Sequence, residues 1–333
     1  MSLRVLSVSP AASVQDQGRP GHLNEGLSRG GAIDIEALTE GAALLGHPPQ
    51  LAAVELPGFG GSFEASSDLR IALTGAPMAA RAGDRRLIWN AAHNMAVGER
   101  FDIGAPTNGT FGYLHVSGGI ISESFLGSRA FHGTAGLGTA VAAGETLAIG
   151  GGTGQSGVRI SAENRFEGGI VRVLPSVQTQ EFSQDVIDRF TATRFRKSAK
   201  SNRMAARLDF DGEGFSTNAG LSILSEVVVP GDIQITGEGH PAVLMPDCQT
   251  TGGYPRIATV LPCDFAIVAQ ASPGTEFNFR FVELEEALAA HRTWIDRLAS
   301  LPGKVEPLIR DPASMADLLS HQLIGGVISA REP

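Results

Sequence analysis

Apolar and polar side chains alternate most clearly over residues 275–282, Thr-Glu-Phe-Asn-Phe-Arg-Phe-Val, where Phe277, Phe279 and Phe281 share one face at the strand period of two. Further β-type runs at 69–74, 112–117, 170–174, 242–245, 257–261 and 265–270, broken by glycine and proline, predict many strands joined by tight turns. A local unit recurs at 97–104, 143–150 and 273–279, where Gly98, Gly144 and Gly274 each precede a strand with alternating apolar residues. Glycine there suits the positive φ of a turn entering a barrel or sandwich strand. The irregular spacing excludes a solenoid and places similar β elements in both halves of the chain.

Helical spacing is rarer. Asp34 is placed to cap a helix over 35–45, with Ile35, Leu38, Ala42 and Leu45 on one face and Gly46 and Pro48 as its stop. Ser183 is placed to cap a second, through about Ala192. Residues 283–301 and 312–328 read as two amphipathic helices, separated by Pro302-Gly303 and Pro307, that pack outside the β core or against a partner. The glycine-rich stretch 150–157 has the composition of a linker or open hairpin loop. It divides the chain into an expected N-terminal β unit, 1–158, and a C-terminal one, 159–333, that carries the final helices.

Composition supports this division. A chain of 333 residues exceeds the roughly 100–200 of a usual domain. Hydrophobic residues make up 42% and charged residues 18%, the balance of a globular protein. No apolar run approaches the roughly 18 residues of a membrane span. The first ten residues read as a strand rather than a secretory signal, so a cytoplasmic location is expected. Two cysteines, Cys248 and Cys263, make neither a disulfide framework nor a structural zinc site. A formal charge of −9 and no basic run beyond 194–200 set nucleic acid aside as a partner. That run is either a solvated face or a contact for an anionic small molecule.

Chemistry concentrates in Asp-Cys-Gln-Thr-Thr-Gly-Gly-Tyr-Pro-Arg, residues 247–256, between two apolar strand candidates. It sets an acid, an amide, two hydroxyls, a phenol and a guanidinium around adjacent glycines whose N–H groups can converge on an oxyanion. A plain hairpin would need Gly252-Gly253 but not the polar set around them. A second cluster, Ser13-Val-Gln-Asp-Gln-Gly-Arg19 with Leu27-Ser-Arg-Gly-Gly-Ala-Ile-Asp34, either offers amide N–H groups and Arg29 to an anion near a helix N-terminus or is loop turns plus an N-cap. In a third, Arg203 and Arg207 share a face if the segment is helical and are ordinary surface arginines otherwise. The chain contains no P-loop, no His-Glu-x-x-His and no Gly-x-Ser-x-Gly elbow. Its eight histidines are scattered, so no metal site is expected. These residues describe a β-rich binder of an anionic or amide-containing small molecule.

At these segments the chain resembles the family of the 5-oxoprolinase C subunit, the carboxyltransferase region of urea carboxylase and the antagonist of a sporulation-kinase inhibitor, also labelled allophanate hydrolase subunit 2. The resemblance rests on Val14-Gln-Asp-Gln-Gly-Arg19, Ser28-Arg-Gly-Gly-Ala-Ile-Asp34, Leu126-Gly-Ser-Arg129, Ser201-Asn-Arg-Met204, Ile223-Leu-Ser-Glu226 with Gly231-Asp-Ile-Gln234, and Gln249-Thr-Thr-Gly-Gly-Tyr-Pro255. It implies a mainly β fold of two cyclophilin-like β-barrel domains with a few peripheral helices. It also implies a companion B subunit and, in the 5-oxoprolinase case, an A subunit.

The implied activity is ATP-dependent opening of the 5-oxoproline lactam to L-glutamate, with ATP and magnesium used by the complex. The alternatives are a biotin-dependent urea or amide carboxyltransferase, for which no lysine here sits in a biotinyl context, and a non-catalytic antagonist of its partner. Within this frame Asp247 is expected to orient or handle protons. Gln249, Thr250 and Thr251 would hydrogen-bond an amide or phosphate, and Tyr254 would close over the ligand. Gln15, Asp16, Arg19, Ser28, Arg29, Arg203, Gly252, Gly253 and Arg256 are the expected binding residues. Asn202 stands where the family has Asp, and Ala205-Ala206 where it has Gly followed by an aromatic residue, so the roles of those side chains do not carry over.

Overall fold

In the computed structural model, which describes residues 1–218 and 220–309, the alternating segments become two seven-stranded sheets and a closed seven-stranded barrel. Four α-helices accompany them among the described residues: α1 (Ile35–Leu45), α2 (Gln184–Ala192), α3 (Phe265–Gln270) and α4 (Leu284–Ser300). The mainly β fold with few helices is the one expected.

The first half of the chain supplies both open sheets. Val5, Phe63 and Phe101 from one and Val54, Ile71 and Leu114 from the other share a buried core. Strand Val158–Arg159 still belongs to this half, pairing with Ala91–Ala92, and Glu306–Pro307 returns to pair with it. The barrel runs from Gly169–Leu174 through Arg256–Val260, Asp232–Ile235, Pro241–Leu244, Ala205–Asp209 and Phe195–Lys197 to Glu276–Phe281, which closes it in parallel register with the first strand. Phe277 and Phe279 are buried in its interior with Phe190, Phe195 and Phe215. All three repeat-unit glycines adopt positive φ: 77° at Gly98, 89° at Gly144 and 86° at Gly274.

Helix α1 begins as the sequence requires: Asp34 Oδ1 accepts from Ala37 N at 3.0 Å, and Gly46 ends the helix in the left-handed region. Its seat on the sheet depends on Gly41, where a Cβ would lie 2.2 Å from His115 Nε2. That nitrogen is 2.8 Å from Thr74 Oγ1, whose proton goes to the Ala37 carbonyl, so His115 donates and is the Nε2–H tautomer. Burial lowers its pKa to about 3, which keeps the ring neutral. Gly41→Ala raises helix propensity by roughly 1 kcal/mol. It is nonetheless expected to cost about 1–3 kcal/mol net, because ring and helix must separate. A fall in the denaturant midpoint at constant slope is the expected reading; a gain in stability would mean that α1 does not rest on His115.

One expectation changes, and one open alternative closes. Residues 265–270 are α3 rather than a strand. A continuous apolar run carries no period that separates the two, and the choice falls to the flanks: Asp264 is locked onto Arg172, and Gln270 bonds the backbone of Phe111 and the side chain of Asp34. Arg203 and Arg207 do not share a helical face, because Ala205–Asp209 is a barrel strand paired with Pro241–Leu244. The expected helix at 312–328 lies outside the described residues.

Candidate functional site

Two loops from the first half lie backbone to backbone. Arg19 N donates to Arg29 O at 2.8 Å, and Ala32 N to Asp16 O at 2.8 Å. Glycine is required at the closest approach: a Cβ on Gly18 would sit 2.5 Å from Arg29 O, and one on Gly31 2.6 Å from Gly18 N. Asp16 fixes this arrangement, its carboxylate accepting from Gly18 N, Ser128 Oγ and Arg129 N at 2.6–2.8 Å. Gln15 beside it donates to Ser13 Oγ and Phe131 O. Arg19, 1% exposed, gives its Nε to Phe125 O and Nη2 to Ala130 O, while Nη1 has no hydrogen-bond partner among the described residues.

The barrel meets these loops through Arg203. Its guanidinium forks onto Asp247 at 2.8 and 2.9 Å, donates to Gly31 O at 2.7 Å and pairs with Glu55. Glu55 is fully buried and also accepts from Ile33 N and Tyr113 OH. The carboxylates hold the Arg203 pKa well above its ordinary value despite burial, and burial pushes the Tyr113 phenol up with Glu55 adding to it. A buried, bidentate pair of this kind joins the two halves in one register.

Ser28 completes the cluster, its Oγ 2.8 Å from His132 Nε2. His132 Nδ1 accepts from Ala135 N, so the proton resides on Nε2 and points at Ser28. Burial lowers the His132 pKa, with Asp247 opposing, and the ring is neutral. This pair therefore holds Ser28 as a hydrogen-bond relay rather than activating it as a nucleophile, which would require an unprotonated Nε2. Around the missing Cβ of Gly30 stand His132 Cδ2 at 3.0 Å, Arg19 Nη1 at 3.4 Å and Asp247 Oδ1 at 3.7 Å.

Over this buried cluster opens a groove of about 1020 Å³. Asp16, Gln17 and Arg29 line its polar end; Ile35 of α1 and Trp294 and Leu298 of α4 line its apolar walls. A second pocket of about 280 Å³ continues from it around Arg29, Ile35 and Trp294 toward the barrel. Glu36 pins α4 across α1 by accepting from Trp294 Nε1 at 2.7 Å and from Arg297 at 2.5 Å. Arg29 is the cation in the groove's lining; burial and its neighbour Arg203 lower its pKa, and its side-chain hydrogen bond, to Gln17 O, is long at 3.4 Å.

Gln15, Asp16, Arg19, Ser28, Arg29, Arg203 and Asp247 thus come together. The remainder of the polar loop does not join them. Thr251–Gly252 pairs with Glu226–Val227 as a small hairpin, Gln249 and Thr251 are exposed and Tyr254 is 43% exposed. Thr250 O accepts from Val228 N and Gly253 O from Ile223 N. Neither Gly252 nor Gly253 has positive φ, so they form no nest; a Cβ on Gly252 would meet the end of the Gln234 side chain, Nε2, at 2.3 Å, and that side chain would have to shift. Arg256 has its own network with Gln178, Glu226 and Asp232. Glu55, Tyr113 and His132 were not expected from the sequence. Glu55 alone carried a signal, an acid inside the apolar run Ala-Val-Glu-Leu.

A model of the carboxyltransferase domain, subdomains A and B, matches residues 25–281, which span the Ser28–Ala32 loop, the barrel and the hairpin. The chain belongs to this carboxyltransferase-domain family. It is 33% identical over 294 residues to the 5-oxoprolinase C subunit of Escherichia coli K12, covering 87% of this chain and 94% of that one. To the 5-oxoprolinase C subunit of Haemophilus influenzae it is 30% identical over 300 residues, covering 86% and 94%. The fold matches the crystal structure of Kluyveromyces lactis urea amidolyase at a TM-score of 0.80 and 20% identity, over 93% of this chain but 21% of that much longer one. Among the described residues no helix is long and apolar enough to cross a membrane.

Proposed function

We propose that this family member is one component of an ATP-dependent 5-oxoprolinase, which opens the lactam of 5-oxoproline to L-glutamate together with companion B and A subunits. The observation that carries the reading is near full-length similarity to two proteins named as the C subunit of 5-oxoprolinase. The groove suits the substrate class. Arg29 offers an under-used guanidinium to a carboxylate, and Ile35, Trp294 and Leu298 give an apolar wall for a small ring. The buried Arg203–Asp247–Glu55 cluster fixes the backbone on which Arg29 stands.

The groove does not fit a magnesium triphosphate. Its lining sets one guanidinium beside the Asp16 carboxylate, with no lysine; the other polar side chains are Thr39, His47, whose pKa burial lowers, and the amides of Gln17, Gln50 and Gln155. Nucleotide handling is therefore assigned to the companion subunits. The exposed side chains of Gln249, Thr251 and Tyr254 are assigned to a partner-facing half of the site, where hydroxyls and an amide meet the lactam from the other side.

The test is coexpression with the candidate companion subunits and measurement of ATP-dependent glutamate release from 5-oxoproline. Turnover in the assembled complex and none in this chain alone is the expected result. A complete, folded complex without turnover overturns the proposal, and turnover that needs bicarbonate and a biotin carrier would move the chain to the urea-carboxylase branch.

A further inference from the structure

Away from the groove and its side pocket, the seam between the two halves holds a smaller cavity of about 60 Å³, with Lys197 on its wall. Lys197 ends barrel strand Phe195–Lys197 and is 6% exposed. Its Nζ donates to Ala269 O at 2.5 Å and lies 5.9 Å from the centre of the Phe111 ring. An ammonium has three donors. No other charged side chain lines the cavity, and no carboxylate pairs with Lys197 among the described residues. Lys200 and Lys304, by contrast, are solvent-exposed.

A buried ammonium without a counter-charge is unfavourable, and here burial alone lowers the pKa to about 7. Two of the neighbouring polar groups, Ser198 and Asn202, have donors to spare, whereas the Ser201 hydroxyl is engaged with the Arg207 backbone. Ser198 Oγ accepts from Lys200 N, which leaves its hydroxyl proton. Asn202 Oδ1 accepts from Met204 N and Ala205 N, which leaves its amide NH2. Thr110 directs its hydroxyl to the backbone at Gln270 and Ala271. Ile33, Phe111 and Met245 give the cavity apolar walls, and it opens to solvent beside the exposed Ala199, Asn202 and Pro273. A lysine without a counter-charge, a hydroxyl and an amide NH2 around a small pocket with no carboxylate in its lining make a site for negative charge, and about 60 Å³ is roughly two waters' share of liquid volume.

We propose that this cavity binds a compact carboxylate of formate size, held by Lys197 with Ser198 and Asn202, as a site separate from the groove. Its occupant would complete the charge of Lys197 at the junction of barrel and sheet and hold that junction in its closed register. The site does not depend on the lactam reading, since none of its residues lines the groove.

With three lysines in the chain, the experiment can read one of them directly. Lysine labelled with ¹³C at the ε carbon is incorporated into the full chain carrying Lys200→Arg and Lys304→Arg, which leaves Lys197 as the sole lysine. The Lys197 signal is followed by NMR through a pH titration with and without sodium formate, and with sodium chloride at matched ionic strength. Expected are a midpoint near 7 without formate and a saturable rise of at least one pH unit with formate, absent with chloride. A midpoint that formate leaves unmoved, or that chloride raises equally, overturns the proposal. A failed glutamate-release assay would leave this result untouched.

Discussion

Replacing Arg203 by methionine is expected to destabilise the fold by about 3–5 kcal/mol, the cost of leaving buried charges without their partner. The Glu55 side chain is 0% and that of Asp247 4% exposed, and both face this one guanidinium, which also serves Gly31 O. Methionine matches the stem but supplies no donor, so two carboxylates and a carbonyl are left to share the remaining N–H and O–H groups. Urea unfolding would show a lower midpoint at an unchanged slope. Arg203→Lys should recover only part of the loss, because an ammonium cannot span Asp247 and Glu55 as a planar fork does. Adding Glu55→Gln to Arg203→Met should cost less than the sum of the two single changes, since one stranded charge is then removed. A loss below about 1 kcal/mol would show that the guanidinium does not bridge the halves.

The second large effect concerns turnover. In the assembled complex, Arg29→Ala is expected to raise KM for 5-oxoproline about 10- to 100-fold, the worth of a charge-assisted hydrogen bond of about 1.5–3 kcal/mol. Stability should barely change, because Arg29 has one long hydrogen bond to lose. Arg29→Lys should restore part of the affinity. An unchanged KM would remove Arg29 and the groove from substrate binding. Thr251→Ala is the contrasting variant: Thr251 is exposed on the hairpin, and reduced turnover with the complex intact would place that hairpin in the partner-facing half of the site, whereas an unchanged rate would leave it as a docking or structural turn.

Several parts of the molecule were legible from local pattern. The period of two at 275–282 became barrel strand Glu276–Phe281, Asp34 capped α1 and Gly46 ended it, and Gly98, Gly144 and Gly274 took the positive φ their turns required. Residues 265–270 failed because an unbroken apolar run has no period, and the contacts of Asp264 and Gln270 that settle it come from Arg172 and Phe111. The glycine pair at 252–253 was legible as a hairpin but misread as an anion nest, because a nest depends on φ values, which neither glycine adopts.

By itself, then, the sequence determined the period-two strand at 276–281, helix α1 with its cap and stop, the turns at Gly98, Gly144 and Gly274, and that Gln15, Asp16, Arg19, Ser28, Arg29, Arg203 and Asp247 are unusual residues. Each of those inferences depends on neighbours two to four positions away, where backbone geometry fixes the outcome. Only the tertiary structure decided that Asp247 belongs with Ser28 and Arg203 while Thr251 and Tyr254, a few residues on, face outward. It also decided that Glu55, Tyr113 and His132 belong among the first group. A buried charge takes its partner from whichever strands the packing of the whole chain brings beside it, and no local spacing encodes that choice.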